Sequence, residues 1–484
     1  MLQRASAPSA FDRHVNTLTR RTVPFLLLVL TMCAVARKAA TPLDNVDAYF
    51  HLRIGHEFVH GGWAPWHPGH LTSFEHERWL PTQWLSQVLM ALDEDVFGLA
   101  GVAWAFGLLY VLFVWVLFWA ARRQAALLPA AIIVPVAVIA CWSNITTRPQ
   151  VASFILVTVT VAVWQRARDR SSVPWLLIPT TWLWAMLHGM WPIGIAIGVA
   201  ATIGIALDLR PPRAHVAKLL AVPVLSFVAA GLTPVGPRLY GAVLLVNSRA
   251  EFFGEWGPPD FRTRQAGMLL VLLGATTVAL VRSTRTTWFD TMLLVGALGC
   301  SVYSQRTVPV AVAILVPLAA SVAGDLMGDR TAPTRRERAV VLGVVGSLLV
   351  GLALAVPHTS ADQLVQPAWV DSEIGGLPAG TPVLTGMTVG SYLLWKYPTL
   401  QPVVHGYADV YTLSELRARD GLETVKPRWD DFVRSTGATI ALERTGTQTV
   451  YALQQAGWTM THHNKNVAIL VAPPGWLDAS GHTS

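Results

Sequence analysis

Long apolar runs separated by short polar connections dominate the first three-quarters of the chain. A run of ~20 apolar residues can cross a bilayer as a helix, and shorter runs suffice where other helices shelter them. The pattern therefore predicts eleven membrane-spanning helices in a transmembrane domain at 22–357. The predicted helices lie at about 22–40, 98–121, 127–142, 151–166, 173–187, 193–209, 219–232, 266–281, 292–303, 308–323 and 339–356.

The C-terminal residues 358–484 have a different pattern. Short apolar strands alternate there with helices, which is typical of a small α/β domain. The predicted strands are Pro382–Leu384, Pro402–His405, Thr439–Leu442 and Val467–Val471, and the predicted helices are Leu413–Asp420, Trp429–Ser435 and Thr449–Ala456. The chain is thus predicted to be an α-helical polytopic membrane protein with about eleven transmembrane helices and a small C-terminal α/β domain.

The composition supports a membrane protein. The 484 residues are 53% hydrophobic and 13% charged, whereas soluble domains average about 25% charged residues. The net charge of +7 comes from arginine clusters between apolar runs, which orient helices, so we expect no nucleic-acid partner. The three cysteines lie inside apolar runs and predict no disulfide framework.

The arginine clusters also predict the orientation. They fall on alternate connections, beginning at the N-terminus. Because basic loops stay on the cytoplasmic side, residues 1–21 are predicted to be cytoplasmic. With eleven spans, the large first outer loop at 41–97 and the domain at 358–484 are then extracytoplasmic. We expect a multi-pass protein of the plasma (inner) membrane, whose first apolar run is a retained helix.

The first outer loop is rich in polar and ionisable side chains. Such side chains cost free energy inside a membrane, and in membrane proteins they mark functional sites. Between 43 and 87 it contains two aspartates, six histidines and three glutamates. Its tryptophans, Trp63, Trp66, Trp79 and Trp84, are interpreted as an interfacial belt, and stacking on sugar rings is compatible with that. Residues 84–95 predict a short amphipathic helix on the membrane surface.

Two acidic residues and three histidines in this loop are candidates for chemistry. Asp44 and Asp47 share one face if their turn is helical, and such a pair can hold a divalent metal or supply a base. For an arbitrary aspartate at such a position, a solvated helix end is the more common explanation. His51, His56 and His60 have near-helical spacing without an HExxH motif, so we interpret most histidines as interfacial residues and substrate contacts rather than zinc ligands. The sequence identifies no particular cofactor, and a divalent metal stays open.

The chain contains, in order, the motifs Asp47-Ala-Tyr-Phe-His51-Leu, Gln83-Trp84-Leu85, Thr147-Arg148-Pro149-Gln150, Trp184-Ala185-Met186-Leu187-His188-Gly189, Thr233-Pro234-Val235-Gly236, Glu255-Trp256, Gly390-Ser391-Tyr392-Leu393 and His405-Gly406-Tyr407-Ala408-Asp409. Together these motifs resemble a bacterial family of polytopic membrane proteins. The chain differs from that family at Gln83, Met186 and Thr233, where the family has Glu, Asn and Asn, and at His405-Gly406-Tyr407, where the family has Asp-Gly-Arg. The family is similar to the GT-C superfamily of membrane glycosyltransferases, which includes the protein O-mannosyltransferases.

This resemblance implies an inverting GT-C glycosyltransferase. The donor would be a polyprenyl-phosphate-linked sugar in the membrane lipid, and the acceptor an extracytoplasmic glycan, lipid or protein. Asp47 is implied as the catalytic base. Arg148 and Arg306, isolated on short outer loops, are the candidates for the phosphate, because arginine binds phosphate bidentately. The other implied substrate-binding residues are Asp44, His51, His188, Glu255 and Trp256.

Two other functions stay open. A lipid or glycan transporter or flippase predicts charged residues at mid-membrane depth and paired repeats, and the sequence has few of the former and no obvious example of the latter. A non-catalytic envelope-assembly protein needs no carboxylate at Asp47. Contact with lipid headgroups also accounts for Arg148 and Arg306.

Overall fold

The computed structural model describes residues 22–41, 43, 45–72, 79–327, 332–359 and 368–478. The candidate Asp44 and the predicted cytoplasmic segment 1–21 lie outside the described residues. The helices are α1 Val23–Ala39, α2 Asp47–Val59, α3 Trp84–Arg122, α4 Leu127–Ala140, α5 Gln150–Arg170, α6 Leu177–Leu187, α7 Trp191–Leu209, α8 Arg213–Ala230, α9 Arg238–Ser248, α10 Arg264–Arg282, α11 Trp288–Tyr303, α12 Val308–Met327, α13 Arg335–Ala355, α14 Ala368–Ile374, α15 Met387–Lys396, α16 Leu413–Glu423, α17 Trp429–Ser435 and α18 Gln448–Gln455. The strands are β1 Pro382–Thr385, β2 Gln401–Pro402, β3 Ile440–Arg444, β4 Thr459–His463 and β5 Val467–Val471.

The chain divides into two compact units. The first unit contains the described residues of 1–41, 103–230 and 255–359. The second contains those of 42–102, 231–254 and 360–484. The second unit therefore joins most of the first outer loop and part of the connection after α8 to the C-terminal residues. The predicted boundaries at 22–357 and 358–484 stay predictions.

Each of the eleven predicted membrane segments coincides with one of the helices α1–α13. The two helices of this range that match no predicted segment are α2 and α9. Among the described residues, seven helices are long and apolar enough to cross a membrane, and three shorter apolar helices accompany them. The chain is a multi-pass membrane protein, as predicted. Helix α3 is interrupted at Gly98, whose φ of 64° and ψ of −168° are not helical. The predicted helix at 84–95 thus precedes a break, and its place on a membrane surface stays a prediction.

Helix α12 forms the centre of the first unit. Nearly all its side chains from Val308 to Leu318 are buried, and a helix that is hydrophobic all round belongs inside a bundle. It packs against α4, α5, α10 and α11. The short 3₁₀ turn Gln305–Thr307 leads directly into it, and the Ser304 N–H donates to Thr307 Oγ1 over 3.3 Å. The backbone of Arg306 is therefore fixed at the start of a largely buried helix.

The second unit contains a five-stranded sheet in the order β2-β1-β3-β5-β4. β1 pairs in parallel with β2 and β3, and β5 pairs antiparallel with β3 and β4. The prediction of a small C-terminal α/β domain is confirmed. The predicted strand Pro402–His405 is wrong beyond Pro402, and β4 was not predicted because its residues, TMTHH, lack an apolar alternation. Helices α14 and α15 were not predicted either.

Helix α2 packs its apolar face within the second unit. Phe50 and Ile54 lie in one buried cluster with Leu394 of α15 and with Tyr407. Trp79 is only 4% exposed in the same cluster, and its Nε1 donates to the Gly69 carbonyl over 3.0 Å. The interpretation of Trp79 as an interfacial residue is therefore wrong. Burial of one such side chain contributes about 1.5–3 kcal/mol, which fixes the helix that begins at Asp47.

Candidate active site

Three charged side chains meet in the first unit. Arg148 Nη1 donates to Glu255 Oε2 over 2.6 Å, and Arg306 Nη1 lies 3.5 Å from Glu255 Oε1. The guanidinium of Arg306 also lies over the Trp256 ring, 4.5 Å from its centroid. We call Arg148, Glu255, Trp256 and Arg306 the arginine cluster. All four were candidates from the sequence, and the structure brings them together.

Hydrogen bonds between turns position this cluster. Arg148 lies in the turn before α5, and Arg306 lies in the turn before α12. The Gln305 N–H donates to the Gly257 carbonyl over 2.8 Å, and Asn144 Nδ2 donates to the Gln305 carbonyl over 3.1 Å. Gln150 Nε2 in turn donates to the Asn144 carbonyl over 3.1 Å. The cluster is thus supported by backbone contacts rather than by flexible side chains alone.

The cluster carries an excess of positive charge. Burial of Glu255 opposes its ionisation, but the charges of Arg306 and Arg148 outweigh burial and lower the pKa of this carboxyl. Glu255 is therefore an anion at neutral pH. Two guanidinium groups against one carboxylate leave one net positive charge. Arginines held in this way present planar, bidentate donors of the kind that bind phosphate.

His188 lies in the turn between α6 and α7 and is buried. Its Nδ1 accepts from the Met190 N–H over 3.3 Å and lies 3.0 Å from Ser153 Oγ. Ser153 Oγ itself accepts from Trp184 Nε1 over 2.7 Å. Because a backbone N–H can only donate, Nδ1 is unprotonated and the ring proton lies on Nε2.

The charge state of His188 follows from its surroundings. Burial, then the charges of Arg306 and Arg148, lower its pKa to about 3. The imidazole is therefore neutral at physiological pH and offers one N–H donor at Nε2. Ser153 was not recognised from the sequence. Its position one helical turn after Gln150, among apolar residues of α5, was the available signal.

The second unit contains Asp47, the first residue of α2. The Asp47 N–H donates to Asn45 Oδ1 over 2.9 Å, which fixes the start of the helix. A Cβ atom placed on Gly406 would lie 3.0 Å from Asp47 Oδ1 and 2.9 Å from Ser391 Oγ. The Gly406 N–H donates to that Ser391 hydroxyl over 2.9 Å. Because Gly406 has no side chain, there is room for the Asp47 carboxylate at this position. Whether a divalent metal binds at Asp47 with Asp44 stays a prediction.

His51, the other candidate on α2, is buried one turn after Asp47. Its Nδ1 accepts from Gln87 Nε2 of α3 over 3.1 Å. The amide therefore holds the neutral ring with its proton on Nε2. The role of Gln87 and the approach of Ser391 and Gly406 to Asp47 were not predicted, because pattern and spacing give no contact between residues so far apart in sequence. Their motifs were noted only as part of the resemblance.

His405 is a second buried histidine in this unit, fully excluded from solvent. The Tyr407 N–H donates to its Nδ1 over 3.2 Å. Burial lowers the pKa of His405 to about 3, well below its usual value of 6.5. The folded chain therefore binds fewer protons at this residue than the unfolded chain between those two values.

The depressed pKa of His405 predicts acid sensitivity. Its contribution to stability is complete above pH 6.5 and is lost as the pH falls toward 3, at up to about 1.4 kcal/mol per pH unit. We expect His405→Gln to flatten the decline of the unfolding temperature between pH 7.5 and 5.0, and the exposed His463→Gln to leave it unchanged. Thermal unfolding at both pH values measures this. Equal slopes in wild type and His405→Gln would contradict it.

Comparison with known proteins supports the fold. No protein-family model matches the chain, and no curated protein matches it in sequence at a significant level. The crystal structure of the Archaeoglobus fulgidus oligosaccharyltransferase in the apo form matches with a TM-score of 0.53 and 11% identity, over 88% of this chain and 70% of that chain. The form tethered with an acceptor peptide containing the NVT sequon matches with a TM-score of 0.52, 11% identity and the same coverage. Apo ArnT from Cupriavidus metallidurans matches with a TM-score of 0.49 and 15% identity, over 94% of this chain and 99% of that chain.

The likeness to the oligosaccharyltransferase is a likeness of fold. The predicted fold, a helical polytopic membrane protein with a small C-terminal α/β domain, is confirmed. At 11% identity, the comparison assigns no substrate and no residue role to this chain.

Proposed function

We propose that this protein is an inverting membrane glycosyltransferase that transfers a sugar from a polyprenyl-phosphate donor to an extracytoplasmic acceptor. The observation that carries the proposal is the convergence of Arg148 and Arg306 on Glu255, at turns that precede helices of the bundle. The GT-C-like fold supports it. The predicted orientation is part of the proposal: the N-terminus is cytoplasmic and the C-terminal domain lies outside the plasma membrane.

The arginine cluster would bind the donor phosphate. Arg148 and Arg306 contribute guanidinium groups that are ordered by Glu255 and, for Arg306, by the Trp256 ring. Donors fixed in advance stabilise a phosphate that gains charge as the sugar departs, without reorganisation during the reaction. His188, neutral and protonated on Nε2, would add one hydrogen bond without adding charge.

Asp47 would act as the base. Its carboxylate takes the proton from the acceptor hydroxyl as the acceptor oxygen forms a bond with the anomeric carbon. The bond between the anomeric carbon and the phosphate oxygen breaks, and its electron pair leaves with polyprenyl phosphate. One displacement inverts the anomeric configuration. His51 lies one turn further along α2 and would contact the substrate through its Nε2–H.

Gly406→Ala tests the position of the base. The new Cβ would meet Asp47 Oδ1 and Ser391 Oγ at about 3 Å, so one of them must move. Displacement of a catalytic group by ~1 Å can cost 10²-fold, and we expect transfer to fall by about 10- to 100-fold with little change in unfolding temperature. Gly241→Ala, on α9 with open space around it, is the control. Full activity in Gly406→Ala would contradict the assignment of Asp47.

The proposal is tested in proteoliposomes that contain the purified chain and a radiolabelled polyprenyl-phosphate sugar. A transferase moves the label from the lipid to an acceptor in a membrane extract. A flippase moves the labelled lipid between leaflets and leaves it chemically unchanged. We expect the label to move to an acceptor with at least one of the polyprenyl-phosphate sugars tested. Labelled lipid that changes leaflet but is never cleaved would favour the transporter instead.

A further inference from the structure

A second group of ligand-type side chains lies in the second unit, on α2 and the first part of α3. His56 lies in the last turn of α2, His60 is the residue directly after that helix, and their rings stack with centroids 5.8 Å apart. His60 Nε2 lies 2.8 Å from Asp95 Oδ2, and His56 Nδ1 lies 3.6 Å from Asp95 Oδ1. One ligand atom from each of the three residues lies within 4.8 Å of the others. The proposed transfer reaction uses none of them.

Glu94 orients the first histidine. Its Oε2 lies 2.8 Å from His56 Nε2, and its Oε1 accepts from Trp395 Nε1 over 3.0 Å. A carboxylate on one ring nitrogen fixes the tautomer with its proton there. The other nitrogen, Nδ1, is then the electron-pair donor and faces Asp95. Histidine ligands of metals in proteins are usually oriented in this way.

The two helices that carry the group are closely packed. A Cβ on Gly55 would lie 2.1 Å from the Gln87 carbonyl oxygen and 2.8 Å from Ala91 Cβ, so only glycine allows this approach. The bond between His51 and Gln87 joins the same helices one turn earlier. The ligands therefore come from a rigid pair of helices. Solvent reaches them from one side, because the side chain of His60 is 60% exposed.

We propose that His56, His60 and Asp95 bind a divalent transition-metal cation, with Zn²⁺ as the best match, and that the ion ties α2 to the first part of α3. Two imidazole nitrogens with one carboxylate select zinc and its neighbours over Mg²⁺ and Ca²⁺, which prefer all-oxygen sites. Zinc–ligand bonds of about 2.0–2.2 Å place tetrahedral ligand atoms ~3.4 Å apart, within reach of the present spacing. A water completes the coordination on the exposed side.

The role of this ion is structural. Helix α2 begins at Asp47 and ends beyond His56, so an ion at its C-terminal half fixes the direction of the whole helix. The site does not depend on the proposed transfer reaction, and metal content can be measured in inactive protein.

The test is zinc content and Co²⁺ binding of the purified full-length chain. The chain is stripped with a chelator, incubated with Zn²⁺ and desalted, and metal is measured by mass spectrometry. We expect about one zinc per chain in wild type. His60→Gln and Asp95→Asn should lose stoichiometric binding, and Co²⁺ added to wild type should give tetrahedral absorption bands that both variants lack.

His67→Gln is the matched control, because His67 is exposed on the same loop. It should bind zinc as wild type does. Wild type that retains no more zinc than His60→Gln would overturn the proposal and leave a hydrogen-bonded cluster only. Equal loss in His67→Gln would also overturn it, because binding would then be spread over the histidines of the loop.

Discussion

Replacement of Asp47 by asparagine is expected to abolish most transfer. General-base catalysis contributes about 10²- to 10⁴-fold, and the amide cannot accept the acceptor proton. The amide has nearly the size of the carboxylate, so it fits the same space beside Gly406 and the chain should fold. We therefore expect kcat to fall by about 10²- to 10⁴-fold while the KM for the donor changes little. Initial rates over a range of donor concentrations measure both constants.

The control for this variant is Asp431→Asn. Asp431 lies in the first turn of α17 and is exposed, so like Asp47 it is an acidic residue in the first turn of a helix, but its environment is different. It should transfer sugar at the wild-type rate. Asp47→Asn with wild-type kcat would exclude Asp47 as the base and would favour a role in helix capping.

Replacement of Arg148 by glutamine is expected to have the second large effect. The variant removes the guanidinium that donates to Glu255 over 2.6 Å and reduces the net charge of the arginine cluster. Loss of one fixed donor to a developing oxyanion costs about 10²- to 10³-fold. We expect kcat/KM for the donor to fall by that factor. Arg148→Lys keeps the charge but not the planar guanidinium, so its kcat/KM should lie between the values of wild type and Arg148→Gln.

The matched control is Arg262→Gln, because Arg262 is an exposed arginine of the same unit. It should leave donor kinetics unchanged. Similar losses in Arg148→Gln and Arg262→Gln would mean that general attraction to the anionic membrane, rather than a phosphate site, accounts for both. Addition of salt then weakens both equally, since such attraction is screened.

Membrane helices could be predicted well from the sequence because one physical signal dominates them. Inside a membrane, a long apolar run can adopt few structures other than a helix. For this reason even the short helices α6 and α11 were located. The C-terminal sheet was harder. The strand β4 has no apolar alternation in sequence, since its two half-buried residues are Met460 and His462 and only the first is apolar. Helix α15 has β-branched and aromatic residues within an apolar stretch, which gives an ambiguous pattern.

The candidate site was predicted in its residue types but not in its geometry. Arg148 and Arg306 stood out because charge is rare on the short outer loops, and the structure unites them at Glu255. The partners of Asp47 could not be derived, because Ser391 and Gly406 are more than three hundred residues away and their contact depends on the fold. The interpretation of most histidines as interfacial residues and substrate contacts rather than zinc ligands stays a prediction. The pairing of His56 and His60 with Asp95 required the close approach of two helices at Gly55.

The most direct test of the central claim is cleavage of the glycosyl–phosphate bond. Phosphorus NMR distinguishes the phosphodiester of a polyprenyl-phosphate sugar from the phosphomonoester that leaves. With purified wild-type protein and an acceptor extract, polyprenyl phosphate should appear in a one-to-one ratio with labelled sugar on the acceptor. It should form at least about 10²-fold more slowly with Asp47→Asn. Transfer of label without release of phosphomonoester, or release at the same rate with Asp47→Asn, would contradict the account.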